Sequence, residues 1–201
     1  MIGVIDYGVG NIASVVNALE FLGLENTTLT NATNIDEFSH LILPGVGAFH
    51  HGMEELRARG FEAGIKAHCK SGKPFLGICL GMQLLLTVSY ENGTHGGLDI
   101  IKGSVLPLRE SVGDLIVPHV GWNDVVTTDS SSIVDVSASY YFVHSYYCKC
   151  ASETDEVGYT EYGIKFASMI ENSNVFGVQF HPEKSHKNGL QILRKFSEFT
   201  C

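Results

Sequence analysis

The stretch Phe75-Leu76-Gly77-Ile78-Cys79-Leu80-Gly81-Met82-Gln83-Leu84-Leu85-Leu86 is apolar almost throughout, with a glycine two residues to either side of its one cysteine. Phe75 to Ile78 reads as a buried strand and Leu80 to Leu86 as a helix, so the chain must turn sharply at Cys79. The same strand-then-helix pattern occurs twice before it. Ile2 to Ile5 ends at Asp6-Tyr7-Gly8 and precedes Ile12, Val15, Val16, Leu19 and Leu22 at helical spacing, with Gly23 as the stop. Leu41-Ile42-Leu43 ends at Pro44-Gly45-Val46-Gly47 and precedes a charge-decorated helical stretch from about Met53 to Lys70. Strands that are solidly apolar rather than alternating belong to a parallel sheet covered by helices on both faces. From about Gly96 strands and turns take over: Ile100-Ile101, Leu115 to Val117, Val125-Val126, Tyr140 to Val143, Lys165 to Ile170 and Val175 to Phe180. Asn172-Ser173-Asn174 reads as the hairpin turn joining the last two, Ser130-Ser131-Ser132 as a loop, and Leu190, Leu193, Phe196 and Phe199 as one face of a closing helix. The fold class expected is α/β. A single domain over residues 1–201 has a central, mostly parallel sheet flanked by helices, with additional antiparallel strands in the C-terminal half.

Composition narrows the function. With 201 residues, 44% of them hydrophobic and 17% charged, the chain can bury a core without disulfides or a structural metal. A net charge of −9 with no basic run argues against nucleic acid and anionic membrane surfaces as partners. The first residues lack a cationic leader, and the longest uncharged apolar stretch, Pro74 to Tyr90, is shorter than the ~20 residues of a membrane span. Cys69, Cys79, Cys148, Cys150 and Cys201 form no C-x-x-C pair, which points to a reducing, cytoplasmic setting rather than a disulfide framework.

Gly77-Ile78-Cys79-Leu80-Gly81 has the spacing of a nucleophile elbow with cysteine as the nucleophile. The glycines let strand and helix pack around a strained turn that pushes the side chain outward, and free N–H groups at the helix start favour a thiolate there. His181-Pro182-Glu183 follows the apolar run Val175 to Phe180. In extended geometry residues two apart share a side, so Glu183 can hold one imidazole nitrogen while the other works on a proton. Parallel strands end along one edge of a sheet, which can bring His181 to Cys79 despite their separation in sequence. The loop Pro44-Gly45-Val46-Gly47 leaves backbone N–H groups open and allows a peptide to turn, suiting an oxyanion-hole donor beside the amide of Leu80.

These residues resemble the class I glutamine amidotransferases, whose Cys-His-Glu triad hydrolyses the side-chain amide of glutamine. Four further segments are similar to the glutaminase subunits of imidazole glycerol phosphate synthase: Asp6 to Asn11, Leu43 to Phe49, Val117 to Asn123 and Tyr141 to Tyr146. The resemblance implies a flavodoxin-like core and a catalytic set of Cys79, His181 and Glu183. It implies oxyanion and substrate contacts from Gly45, Val46, Gly47, Leu80, Gln83, His144, Ser145 and Tyr146. It implies a heterodimer with a (β/α)8-barrel cyclase subunit that receives ammonia in histidine biosynthesis, faced by Asn11, Trp122 and Lys184. The substrate implied is glutamine, with no cofactor and no metal; a glutaminase serving pyridoxal phosphate or anthranilate synthesis is the alternative.

Other signals are weaker. Gly8-Val9-Gly10-Asn11-Ile12-Ala13 fits the dinucleotide fingerprint, but Leu29-Thr30-Asn31 stands where the ribose-binding acid belongs, which excludes NAD. His50, His51 and His119 lack companions at metal-ligand spacing, and Cys148-Lys149-Cys150 reads as strand residues with both sulfurs on one face.

Overall fold

Five strands lie parallel in the order β2 (Asn26–Leu29), β1 (Ile2–Ile5), β3 (His40–Gly45), β4 (Phe75–Cys79) and β13 (Val175–Val178). This is the flavodoxin-like strand order, whose ligand sites lie beyond the carboxyl ends of the strands. The computed structural model describes residues 1–128, 131–134 and 137–200; Ser130 of the expected serine loop, and Cys201, lie outside them. Alternate residues of each central strand enter opposite cores. Leu41 and Leu43 join Phe49, Met53, Leu56, Phe61 and Ile65 on one face, while Ile42, Leu76 and Ile78 join Val15, Leu19, Ile192, Leu193 and Phe196 on the other. The first group covers the sheet with α2 (Phe49–Ala58) and α3 (Phe61–Lys70), the second with α1 (Ile12–Phe21) and α5 (His186–Glu198). Continuous apolar strands follow from having both faces buried.

The C-terminal half extends this core with antiparallel strands. β12 (Ile164–Asn172) pairs with β13 through the expected hairpin, where Asn172 faces Val175 and Ser173 takes a positive φ of 56°. Beyond it lie β10 (Tyr146–Cys150) and β7 (Gly103–Pro107), then the short β5 (Val88–Ser89) and β6 (His95–Gly96). A side branch runs from β12 through β11 (Glu156–Tyr162) to β8 (His119–Thr127) and β9 (Ala138–His144). Cys148 and Cys150 are both buried on one face of β10, as read.

Four local readings are corrected. The helical stretch from Met53 to Lys70 is two helices, broken at Gly60, whose φ of 75° is a left-handed turn that ends α2 and starts α3. Ile100-Ile101 is not a strand: both backbone N–H groups donate to the Leu85 carbonyl, at 3.0 and 3.1 Å, which bends the run beneath the preceding helix. Leu115 to Val117 is not a strand either. The Ile116 and Val117 carbonyls accept from the side chains of Tyr162 and Arg109 rather than from a neighbouring strand, and Ile116 is 78% exposed. The helix after Cys79, α4, spans only Leu80–Leu84.

Candidate active site

Cys79 is the last residue of β4 and the cap of α4, with φ 54° and ψ −107°. A side chain with a Cβ avoids this conformation, and holding it costs about 1–3 kcal/mol, met by the surrounding packing. The flanking glycines make the turn possible. A Cβ on Gly77 would lie 2.6 Å from the Gly81 carbonyl carbon, and one on Gly81 only 1.8 Å from the Leu43 carbonyl oxygen. Strand, turn and helix are therefore in backbone contact, and the cysteine is the side chain left to face outward.

β13 runs parallel to β4 with Gly177 beside Gly77, so the chain leaving it reaches the same sheet edge as Cys79. His181 Nδ1 lies 2.8 Å from Glu183 Oε1, and both side chains are buried. The expected extended run through Glu183 is corrected: Pro182–Lys184 is a tight 3-10 turn, which swings the carboxylate back under the ring. Ser185 locks that turn by donating to the His181 carbonyl and accepting from the Tyr141 N–H. His181 Nε2 is buried without a conventional hydrogen bond. Burial works to lower the His181 pKa, but its interactions with Cys79 and Glu183 outweigh that and push it up to about 9.

Cys79 opens into a cavity of about 380 Å³ lined by Val46, Gly47, Leu80, Gln83, His144, Ser145 and Tyr146, all anticipated, and also by Glu91, Pro118 and Val143. Gly45 is not part of the lining; it is the buried end of β3, packed against Tyr7 and Leu80. Glu91 had no motif to announce it. Its carboxylate is buried and accepts from the Phe49 N–H at 2.6 Å, at the free N-terminus of α2.

Two polar side chains of the cavity, His144 and Gln83, are ordered by one carbonyl. Tyr146 O accepts from His144 Nδ1 at 2.8 Å and from Gln83 Nε2 at 3.2 Å. A carbonyl cannot donate, so Nδ1 of His144 carries the proton and Nε2 must accept from His119 Nδ1, 2.9 Å away. His119 Nε2 then accepts from Asn123, whose amide also donates to the Glu161 carbonyl. Burial holds His119 down at about 4 and His144 at about 3, so both rings are neutral near pH 7 and the proton directions persist. Gln83 spends its other N–H on Gln179 Oε1 at 3.0 Å, leaving its own oxygen for a ligand.

The three residues expected at a partner surface are exposed, and each also has an internal contact. Asn11 caps α1 by accepting from the Ser14 N–H; Trp122 stacks on His186 at 5.0 Å; Lys184 sits 5.9 Å from the Tyr141 ring. Among the described residues no group of three or more His, Cys, Asp or Glu side chains could hold a metal, and no helix is long and apolar enough to cross a membrane.

Fold and site together define a class. Residues 3–198 match the glutamine amidotransferase class-I family, and the chain belongs to it. Within that family it is similar to proteins named imidazole glycerol phosphate synthase subunit HisH. The Sulfurimonas denitrificans protein is 46% identical over 203 residues, covering 99% of this chain and 98% of its own, and that of Caldanaerobacter subterraneus subsp. tengcongensis is 47% identical over 201 residues, covering 98% of each. Among solved structures, one described as a glutamine amidotransferase superposes with a TM-score of 0.77 at 18% identity, covering 98% of this chain and 97% of its own. The structure of PurLQS from Thermotoga maritima gives 0.76 at 19%, with the same coverage. At that identity the likeness is one of fold.

Proposed function

We propose that the chain is the glutaminase subunit of imidazole glycerol phosphate synthase, hydrolysing glutamine to glutamate and ammonia. The observation that carries the reading is Cys79 held at a positive φ in the cavity wall, beside a His181 ring oriented by a buried Glu183. Cys79 passes its thiol proton to His181 Nε2, and its Sγ attacks the glutamine carboxamide carbon. The resulting oxyanion is received by the amide of Leu80 and by the Val46-Gly47 loop once a peptide there turns inward. His181 passes its Nε2 proton to the departing nitrogen, ammonia leaves, and a glutamyl thioester remains. His181 then takes a proton from water, the hydroxide adds to the thioester, and glutamate leaves as the sulfur recovers its proton. A raised His181 pKa fits a ring that must hold a proton beside a sulfur anion.

The free oxygen of Gln83 and the Glu91 carboxylate make one wall of the cavity an acceptor of hydrogen bonds, suited to the α-ammonium of glutamine. Ser145 and Tyr146 line the same cavity. The ammonia is consumed by a (β/α)8-barrel cyclase subunit, docked over Asn11, Trp122 and Lys184 in a cytoplasmic heterodimer. No cofactor takes part in this chemistry.

Glutamate release from glutamine by the purified chain, alone and with the cyclase subunit and its nucleotide ligand, tests the reading. Turnover is expected to be slow alone, much faster with the partner, and absent in Cys79→Ala under both conditions. Undiminished turnover by Cys79→Ala would overturn the mechanism, and stimulation by a pyridoxal phosphate or anthranilate synthase partner instead would overturn the choice of subunit.

A further inference from the structure

We propose that Gln179, which is outside the triad, belongs to the reacting centre as a hydrogen-bond donor to Cys79 Sγ that favours the sulfur anion. The inference rests on the reading of Cys79 as nucleophile. Gln179 is the first residue beyond β13, is fully buried, and places its Nε2 3.7 Å from Cys79 Sγ. That contact comes from strand adjacency, since β13 and β4 are direct neighbours and their ends lie side by side.

The orientation of the amide is forced by its neighbours. Tyr146 O only accepts, so Gln83 must present its NH2 group to it, and the second hydrogen of that group points to Gln179. Gln179 must answer with Oε1, which turns its own NH2 toward the sulfur. Flipping Gln179 would set two NH2 groups against each other and a carbonyl oxygen against Cys79, all in a buried site. The carbonyl that starts this sequence is itself pinned by His144 Nδ1 at 2.8 Å.

A thiol sulfur is a weak acceptor and a thiolate a strong one, so a fixed N–H stabilises the anion more than the neutral form. The donor also leaves the S–H proton no reason to point at Gln179; while the sulfur is neutral that proton points to the Val143 carbonyl, 3.9 Å away. The other groups acting on the sulfur are His181 with Glu183 behind it, the Tyr7 hydroxyl two residues beyond β1, Cys148 on β10, and the Val143 carbonyl of β9, which accepts from the thiol at 3.9 Å. These remain when Gln179 alone is changed.

The test is the pH profile of Cys79 alkylation by iodoacetamide in the full chain, followed by mass spectrometry of the Cys79 peptide. Wild type is compared with Gln179→Met and Gln179→Glu. Loss of the donor should move the midpoint upward by about one pH unit in Gln179→Met, and further in Gln179→Glu, where an acceptor faces the sulfur. Glutaminase kcat should fall about tenfold at neutral pH with KM within a factor of about two, because fewer molecules carry the anion. A midpoint that stays at the wild-type value overturns the proposal even if kcat falls, since a merely structural role would lower activity without moving it. If neither variant folds, the unaltered chain labelled with 15N-glutamine decides: the Gln179 side-chain amide signal must move with Cys79 ionisation, and an invariant signal overturns the proposal. Persistent turnover in Cys79→Ala would instead remove the nucleophile assignment, while the alkylation profile still reports on the amide–sulfur contact.

Discussion

Gly81 shows how little freedom the nucleophile turn has. A methyl group there would stand 1.8 Å from the Leu43 carbonyl oxygen and 2.9 Å from its carbon, both backbone atoms, so relief requires β3 and α4 to separate. Gly81→Ala should destabilise the chain by about 3 kcal/mol or prevent folding, read as loss of the cooperative thermal transition. Glu183 acts at one remove. Its carboxylate holds His181 at 2.8 Å, and Glu183→Gln keeps the shape while weakening that hold. The expected outcome is a fall in glutaminase kcat of about a hundredfold with little change in KM for glutamine, measured by steady-state kinetics. Cys79, His181 and Glu183 were legible because each sits in a short pattern whose spacing has a physical purpose. Gln179 and Glu91 were not, because neither forms a pattern of its own and the groups each one touches, Cys79 and Gln83 for the first and the Phe49 amide for the second, are distant in the chain.

Among the elements, α5 illustrates how a helix is held by one face. Ile192, Leu193 and Phe196 are buried against the sheet, and Phe176 meets Phe196 edge-on with ring centres 6.0 Å apart. Phe196→Ala should cost about 3–5 kcal/mol, read as a lower urea midpoint at unchanged slope. The β8–β9 pair carries a different liability. His119 is stacked on Tyr162 at 4.1 Å and bonded to His144, and burial depresses both pKa values, to about 4 and about 3. The unfolded chain protonates these rings near 6.5 and the folded chain does not. Stability is therefore intact above that pH and declines as pH falls through it toward 4. Thermal unfolding between pH 7 and 5 should show this decline, and His119→Gln should reduce its slope by about one proton per molecule. The apolar strands and closing helix were legible from pattern alone. Ile100-Ile101 and Leu115 to Val117 misled because a two- or three-residue apolar run does not say what its backbone will bond to; here the Leu85 carbonyl and the Tyr162 and Arg109 side chains took the place of a neighbouring strand.

For the molecule as a whole, the site lies at one sheet edge with the proposed partner surface beside it. Trp122 is 49% exposed and rests on His186, two residues beyond Lys184. Trp122→Ala should leave glutamate release by the isolated chain unchanged and lower its stimulation by the cyclase subunit severalfold, measured by titrating that subunit. Equal stimulation of variant and wild type would place the docking surface elsewhere.

Local chemistry was enough to specify the alternation of apolar strands and helices, the sharp turn at Cys79 and the candidate triad, because these depend on spacing within a few residues. The three-dimensional fold was needed to decide which polar atoms meet, and in which direction each proton points. The direction of the chain from Asn123 through His119, His144 and Tyr146 to Gln83, Gln179 and Cys79 follows from one backbone carbonyl that can only accept. Its members come from β4, β8, β9, β10, α4 and the end of β13, segments that become neighbours only when the sheet assembles. Hydrogen bonds depend on separations of about 3 Å, and no spacing along the chain encodes those.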